Sequence, residues 1–329
     1  MPDGYFRIAC KDCLRYAGSY FLLILFVSGC AATPMSDKLL NRPRQDLAKP
    51  VELVAVPFFP QDQYQCGPAA LAAMLNTAGV SVAPADLTPK IYIPEKRGSL
   101  QVEIQAAIRR YGRLPYPVEP ELEAILMQVV SGKPVLVLQN LGLSWIPQWH
   151  YAVVIGFDLK KKKLILRSGT IKRYLVDIRT FEHTWRRAGR WAYVVLRPGE
   201  VPEGARDMKY FRAVADSESG LDFQSLKAAY EAGIRRWPGN RLLVMGLGNL
   251  YYRAGQYQQA GHWYTNVIAG YPDYAPAHNN LAQVLMEQGE YQEALYHVEK
   301  AIALGGSHRE IYENTRDEII SRRDHAKSM

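Results

Sequence analysis

A cysteine acts as a nucleophile in its thiolate form, and Cys66 sits where a chain can favour that form. Gln65-Cys66-Gly67-Pro68-Ala69-Ala70 opens an alanine- and leucine-rich stretch, 68–78, that ends on Gly79. Proline suits the first helical turn, so the spacing places Cys66 at a helix N-terminus. The unpaired N–H groups and partial positive charge there are expected to lower the thiol pKa. Gly67 lets backbone approach the sulfur, and the Cys66 N–H can help hold a developing oxyanion. A side-chain donor would strengthen that hole: Gln61, five residues upstream, is a candidate, with Gln63 and Gln65 as alternatives. The thiolate also needs an imidazole to take its proton and return it to the leaving group. Of seven histidines, His150 opens His150-Tyr151-Ala152-Val153-Val154-Ile155-Gly156, a strand start with Trp149 beside it to limit solvent. His183 lies in a polar stretch and reads as a surface residue. The other five fall in the C-terminal part, where His262, His278 and His297 read as polar or partly packed positions.

The elements that must bring Cys66 and His150 together lie between residues 51 and 198, which read as one mixed α/β domain. A short strand at 53–56 enters a loop with Pro57 and Pro60, and helices follow at 68–78, 99–111 and 120–130. Short β-branched or aromatic runs at 134–138, 150–157, 164–166, 174–178 and 191–196 are strands. Helices thus precede sheet. Lys160-Lys161-Lys162-Lys163, between two strands, reads as a solvated hairpin turn.

Beyond a polar connector at 199–220 the pattern is helical and repeats. Leu247, Gly255, Tyr257, Ala260 and Ile268 recur 34 residues later as Leu281, Gly289, Tyr291, Ala294 and Ile302. One period earlier stand Phe223, Leu226, Ile234 and Pro238. With small residues Gly248, Ala254, Ala260, Ala282 and Ala294 for close helix crossings, 221–306 resembles the tetratricopeptide repeat. That resemblance implies an all-α solenoid that binds a protein partner, with 307–329 as its capping helix.

At 329 residues and 48% apolar composition the chain is long enough for two domains. The net charge is +8; Arg7, Lys11 and Arg15 against Asp3 and Asp12 contribute +1 of it, leaving +7 after residue 29. These bases are scattered and not stacked with aromatics, which argues against nucleic acid as a partner. A basic start leads to the apolar run 20–27 and then Ser28-Gly29-Cys30, the order of an export signal. The run is short of the roughly 20 apolar residues of a spanning helix. Val27-Ser28-Gly29-Cys30 resembles a bacterial lipobox, which implies lipidation of Cys30 and loss of 1–29. Ala32 replaces the aspartate that such proteins commonly use for inner-membrane retention, so the resemblance implies an outer-membrane anchor facing the periplasm. Residues 30–50, with Pro34, Pro43 and Pro50, read as a flexible tether. Cys10 and Cys13 fall in the signal, so no disulfide framework is expected. No His, Cys or acidic residues fall at zinc spacing and no glycine-rich phosphate loop follows a strand, so no metal or cofactor is expected.

Gln61-Asp62-Gln63-Tyr64-Gln65-Cys66-Gly67-Pro68-Ala69-Ala70-Leu71, then Gly132-Lys133-Pro134-Val135, then His150-Tyr151-Ala152-Val153-Val154 with Gly156-Phe157-Asp158 resemble papain-like peptidases of the bacteriocin-processing type, which cleave after double-glycine leaders. The resemblance implies an α+β papain-like domain with N-terminal helices packed on an antiparallel sheet. It also implies Cys66 as nucleophile, His150 as general base and acid, and Gln61 as oxyanion donor. Family members usually carry Asp or Asn on the next strand to orient the imidazole; the aligned position here is Ser168, in Leu166-Arg167-Ser168-Gly169. A hydroxyl can accept from the ring but cannot stabilise imidazolium as a carboxylate does. Asp158 and Asp177 are the alternatives. The expected protein is an envelope-anchored cysteine peptidase whose repeats recruit a protein substrate or partner. A peptide-binding scaffold of weak or no activity, and an amide hydrolase or acyl transferase using the same thiol, are the competing expectations.

Overall fold

The computed structural model describes residues 32–61, 65–96 and 98–328. Residues 1–29, expected to be a signal segment, Cys30, the expected lipidation site, and Gln63 lie outside the described residues. The described chain opens with α1 (Pro34–Asn41) and a single 3₁₀ turn (Gln45–Leu47), followed by β1 (Val51–Glu52). Three helices come next, α2 (Cys66–Thr77), α3 (Pro84–Ile91) and α4 (Gln101–Arg110), with the small ribbon of β2 (Tyr92–Ile93) and β3 (Gly98–Ser99) between the last two. After β4 (Leu114–Pro117) and α5 (Leu122–Val130) the chain turns mainly to sheet. The elements there are β5 (Val135–Asn140), β6 (Trp149–Asp158), β7 (Lys163–Ser168), β8 (Ile171–Asp177), α6 (Ile178–Arg187) and β9 (Ala192–Leu196).

These strands form one antiparallel sheet in the order β4-β9-β5-β6-β7-β8, with β1 pairing the far end of β6. Its centre is covered on both faces, which explains the near-continuous apolar text of Val135-Leu136-Val137-Leu138 and Ala152-Val153-Val154-Ile155. Leu136, Leu138, Tyr151, Val153, Ile155 and Ile165 face α2, α3 and α4. Val135, Val137, Ala152, Val154, Leu164 and Leu166 face α5, α6 and α1. Helix α2 is buried from Gly67 through Leu75, as expected of a helix apolar on all sides. The lysine run is a turn between β6 and β7, with Lys162 at φ +55°.

Two expectations are corrected. Residues 30–50 are not a free tether over their described part. Leu39 and Leu47 are buried, and the fully buried Ser36 donates through its N–H (2.7 Å) and hydroxyl (2.6 Å) to the Glu182 carboxylate on α6. An ion pair between Asp37 and Arg179 at 2.8 Å closes the edge of this contact. Pro34, read as a tether residue, instead starts α1 at a position where proline is tolerated. The connector 199–220 likewise contains a helix, α7 (Asp207–Ala215), which packs on β4.

The rest is helical: α8 (Phe223–Arg236), α9 (Arg241–Arg253), α10 (Tyr257–Gly270), α11 (Ala275–Glu287), α12 (Tyr291–Leu304) and α13 (Arg309–Ser328). Gly246 and Gly248 of α9 lie flat against the rings of Tyr230 and Tyr264, where a Cβ would collide. Helix α13 covers the end with Tyr312, Thr315 and Ile319. The apolar core on the α5/α6 side of the sheet runs unbroken through Tyr210 and Val214 of α7 into Leu226 and Tyr230 of α8. At this junction the Tyr210 hydroxyl donates to the carbonyls of Glu200 (3.2 Å) and Ala229 (3.0 Å).

Candidate active site

Cys66 is the first residue of α2 and the free cysteine of the described residues. Among the described residues no side chain caps this helix, and the Gln65 side chain at the N-cap makes no capping hydrogen bond; the first-turn N–H groups have no partner within the helix. Gly67 is required by packing: a Cβ there would overlap the Ser99 side chain. Ser99 is itself fixed, because its carbonyl accepts from the Tyr151 hydroxyl at 3.2 Å. The β2–β3 ribbon thereby closes over the start of α2 and ties it to β6.

Helix α2 packs on β6, and Cys66 joins the core that holds Tyr151, one residue after His150. Ladder pairing between β6 and β7 begins at Val153 opposite Arg167, so the Tyr151 amide lies outside that ladder. Burial pushes the Cys66 thiol pKa up, opposed by the backbone N–H groups of Tyr151, Gly67 and Cys66 itself. The expected acidification by the helix terminus is therefore outweighed by desolvation. Burial alone pushes the His150 imidazole down. Both shifts favour neutral forms, so the resting pair is thiol and imidazole rather than thiolate and imidazolium.

His150 is the second residue of β6, half-buried, with Nε2 2.8 Å from the Ser168 hydroxyl at the end of β7. That contact leaves Nδ1 as the ring nitrogen open to a second partner. Of the alternatives to Ser168, Asp158 ends β6 and pairs with Lys161 at 3.8 Å, while Asp177 caps α6 and pairs with Lys163 at 3.8 Å. Both lie at the opposite end of the sheet from His150, so neither can orient the ring. Gln61 is held beside Ser168 by its backbone, its N–H donating to the Gly169 carbonyl at 3.3 Å. Trp149 is mostly exposed and does not seal the site. The partly buried Trp191 packs against the same α2-side core as Cys66 and meets Tyr151 edge-on at 5.7 Å.

Arg167 is a site element that sequence reasoning missed. It follows the apolar run Leu164-Ile165-Leu166 of β7, yet it is buried and donates to the carbonyls of Val56 (2.8 and 3.0 Å), Val54 (3.1 Å) and Lys172 (2.6 Å). It thus pins the segment that leads to Gln61 against the strand that carries Ser168. The one local signal is a charge directly after an apolar run, since an arginine there must find several acceptors.

Residues 53–193 match the Peptidase_C39 like family, and residues 227–275 and 245–308 match the tetratricopeptide repeat. None of the curated proteins matches the chain. Among solved structures, a C39-like peptidase from Bacillus anthracis is 20% identical with a TM-score of 0.39, over 45% of this chain and 98% of that one. The type III secretion translocator chaperone SycD of Yersinia enterocolitica is 17% identical with a TM-score of 0.34, over 37% and 86%. The TPR2B domain of yeast Sti1, solved as a pHsp70 complex, is 16% identical with a TM-score of 0.34, over 36% and 98%. By the two family models, the chain joins a Peptidase_C39-like domain, built as helices on an antiparallel sheet, to a run of tetratricopeptide repeats.

Proposed function

We propose that the protein is a cysteine peptidase held in the bacterial envelope by a lipid on Cys30, on the periplasmic face of the outer membrane, whose repeats recruit a protein substrate or partner. The observation that carries the reading is the junction at the start of β6. There helix α2, which begins with Cys66, packs on β6 in the core that holds Tyr151, and the neighbouring His150 ring is held by Ser168 at 2.8 Å. Nε2 bound to the hydroxyl leaves Nδ1 to take the thiol proton as sulfur attacks a peptide carbonyl. The ring then protonates the leaving amine, and water resolves the thioester with the ring again as base. Gln61 and the Cys66 N–H are the donors assigned to the oxyanion.

Mass spectrometry of peptides released from an envelope protein extract tests this reading. Release should vanish with Cys66→Ala and fall about 10²–10⁴-fold with His150→Ala. Equal release by wild type and Cys66→Ala would overturn it. A second reading, a scaffold that grips peptides with little turnover, is favoured by one observation: the Ser168 hydroxyl, at 2.8 Å from the ring, stands where a carboxylate would stabilise imidazolium. It predicts peptide binding that survives Cys66→Ala with no product in wild type.

A further inference from the structure

The hairpin joining β5 to β6 carries an uncharged tip, Leu141-Gly142-Leu143-Ser144-Trp145-Ile146-Pro147-Gln148-Trp149. Leu141, Leu143, Trp145, Ile146 and Trp149 are 45–76% exposed. Five large apolar side chains on one loop mark an interaction surface rather than incidental exposure.

The tip is also built, not loose. Asn140, almost fully buried at its base, accepts from the N–H groups of Gly142 (3.0 Å) and Gln148 (2.9 Å) and donates to the Leu143 carbonyl (3.3 Å). Leu141 donates to the Gln148 carbonyl at 2.8 Å, and Leu143 and Ile146 exchange backbone hydrogen bonds at 3.1 and 3.2 Å. A Cβ on Gly142 would collide with the Ile146 carbonyl.

Two adjacent arginines of α6 tie this hairpin to the N-terminal end of the described chain. Arg187 donates twice to the Asn140 carbonyl, at 3.0 and 3.2 Å, and Arg186 donates to the Ala32 carbonyl at 3.1 Å. Cys30 is two residues before Ala32, so covalent reach alone keeps its Cα within about 7 Å of the Ala32 Cα. A lipid on Cys30 would therefore leave the protein near the last turn of α6, which also holds the base of the hairpin. Tryptophan prefers the headgroup layer, and arginine beside it is attracted to anionic lipid.

We propose that the 141–149 tip dips into the headgroup layer of the bilayer that holds the Cys30 anchor, turning the Cys66 and His150 end of the sheet toward the membrane. The lipid supplies attachment and the hairpin supplies orientation, so the cleft receives membrane-proximal segments of its substrate. The proposal rests on the lipid-anchor reading.

The lipidated full-length protein is reconstituted into phosphatidylethanolamine and phosphatidylglycerol vesicles, with or without brominated acyl chains, and its tryptophan emission is compared. Trp145 and Trp149 are two of six tryptophans, so bromine should quench up to about a third of the emission. Trp145→Phe with Trp149→Phe should remove that quenching, and Trp145→Glu with Ile146→Glu should remove it while the protein stays on the vesicles. Equal emission from both kinds of vesicle, or equal quenching in the double Phe variant, overturns the proposal. So does a Trp145→Glu, Ile146→Glu protein that loses hydrolysis of a soluble peptide in vesicle-free buffer, which would make the tip a substrate wall. The mass of the N-terminal peptide reports acylation separately. If acyl chains are absent the anchor reading fails, and the same quenching measured on the unlipidated chain decides the hairpin. Alkylation of Cys66 reports on the peptidase reading in either case.

Discussion

Replacing Ser168 tests the link between the two halves of the site, because its hydroxyl is the atom holding the His150 ring, at 2.8 Å from Nε2. Ser168→Ala removes one neutral hydrogen bond, worth about 1 kcal/mol net, which corresponds to a roughly fivefold loss of reactivity if the ring orientation is lost with it. Ser168→Asp instead places a carboxylate beside the ring. Two unit charges at about 4 Å interact by about 4 kcal/mol at an effective dielectric of 20. Half-exposure of the position screens part of that, so the imidazole pKa is expected to rise by about 1–3. Burial holds His150 below its usual value; the carboxylate therefore brings it back toward or above about 6.5 and favours transfer of the thiol proton to the ring. The assay is the pH–rate profile of iodoacetamide alkylation, with Cys66→Ala as the blank. In wild type, burial of the thiol predicts a midpoint above that of free cysteine. In Ser168→Asp the midpoint should fall, and labelling at about pH 6.5 should rise roughly tenfold for every pH unit by which the midpoint drops. An unchanged profile would refute the coupling, as would a Ser168→Asp effect that persists in the His150→Ala background.

Other outcomes follow from contacts outside the pair. Arg167→Met should free the segment before Gln61 and lower turnover by about 10²-fold, the cost of an ångström-scale misplacement, in steady-state assays of released peptide; unaltered turnover would show that the pin is irrelevant to the site. Glu182→Ala leaves the buried Ser36 N–H without its acceptor and the hydroxyl with only the Ile178 carbonyl at 3.3 Å, so it should cost about 2 kcal/mol in urea unfolding and make residues 32–50 the first target of limited proteolysis. His278 and His297 stack with their Nδ1 atoms 3.0 Å apart, and burial and then His278 hold the His297 imidazole below its usual range. The folded chain thus binds that proton more weakly than the unfolded chain. The resulting stability is intact above about pH 6.5 and is lost as pH falls through the folded value. The melting temperature should accordingly drop between about pH 7.5 and 5.5, and less so in His297→Gln.

The parts legible in the sequence are those whose signal is local. Cys66 and His150 stand out because each begins an element whose text is distinctive over a few residues, and the repeats because small and aromatic residues recur every 34 positions. Strands β5 and β6 are readable since both faces are buried and leave no polar interruption. Helix α3 is not: it has eight residues and carries Pro84 and Pro89, which punctuate a sequence as loops do. Helix α6 is hidden for a different reason. Its composition is strongly polar, and the burial of Ile178, Phe181, Glu182 and Trp185 along one side depends on partners far away in sequence. The same holds for α1, whose anchoring carboxylate is 146 residues from Ser36. The raised thiol is illegible on the same grounds: the helix terminus is visible locally, whereas the core against which Cys66 packs is assembled from residues as distant as Tyr151, Val153 and Val195.

The uninterrupted apolar core through α7 bears on how the protein can be dissected. Stopping the chain after β9 would strip the cover from Tyr116 and the α5 side of the sheet, and starting it at α8 would leave Leu226 and Tyr230 facing water. Either fragment would be sticky, and a lost activity in it would report collapse instead of a missing partner site. Heating the intact chain should give one calorimetric peak rather than two. Dissection by single surface substitutions on the repeats is therefore the informative route.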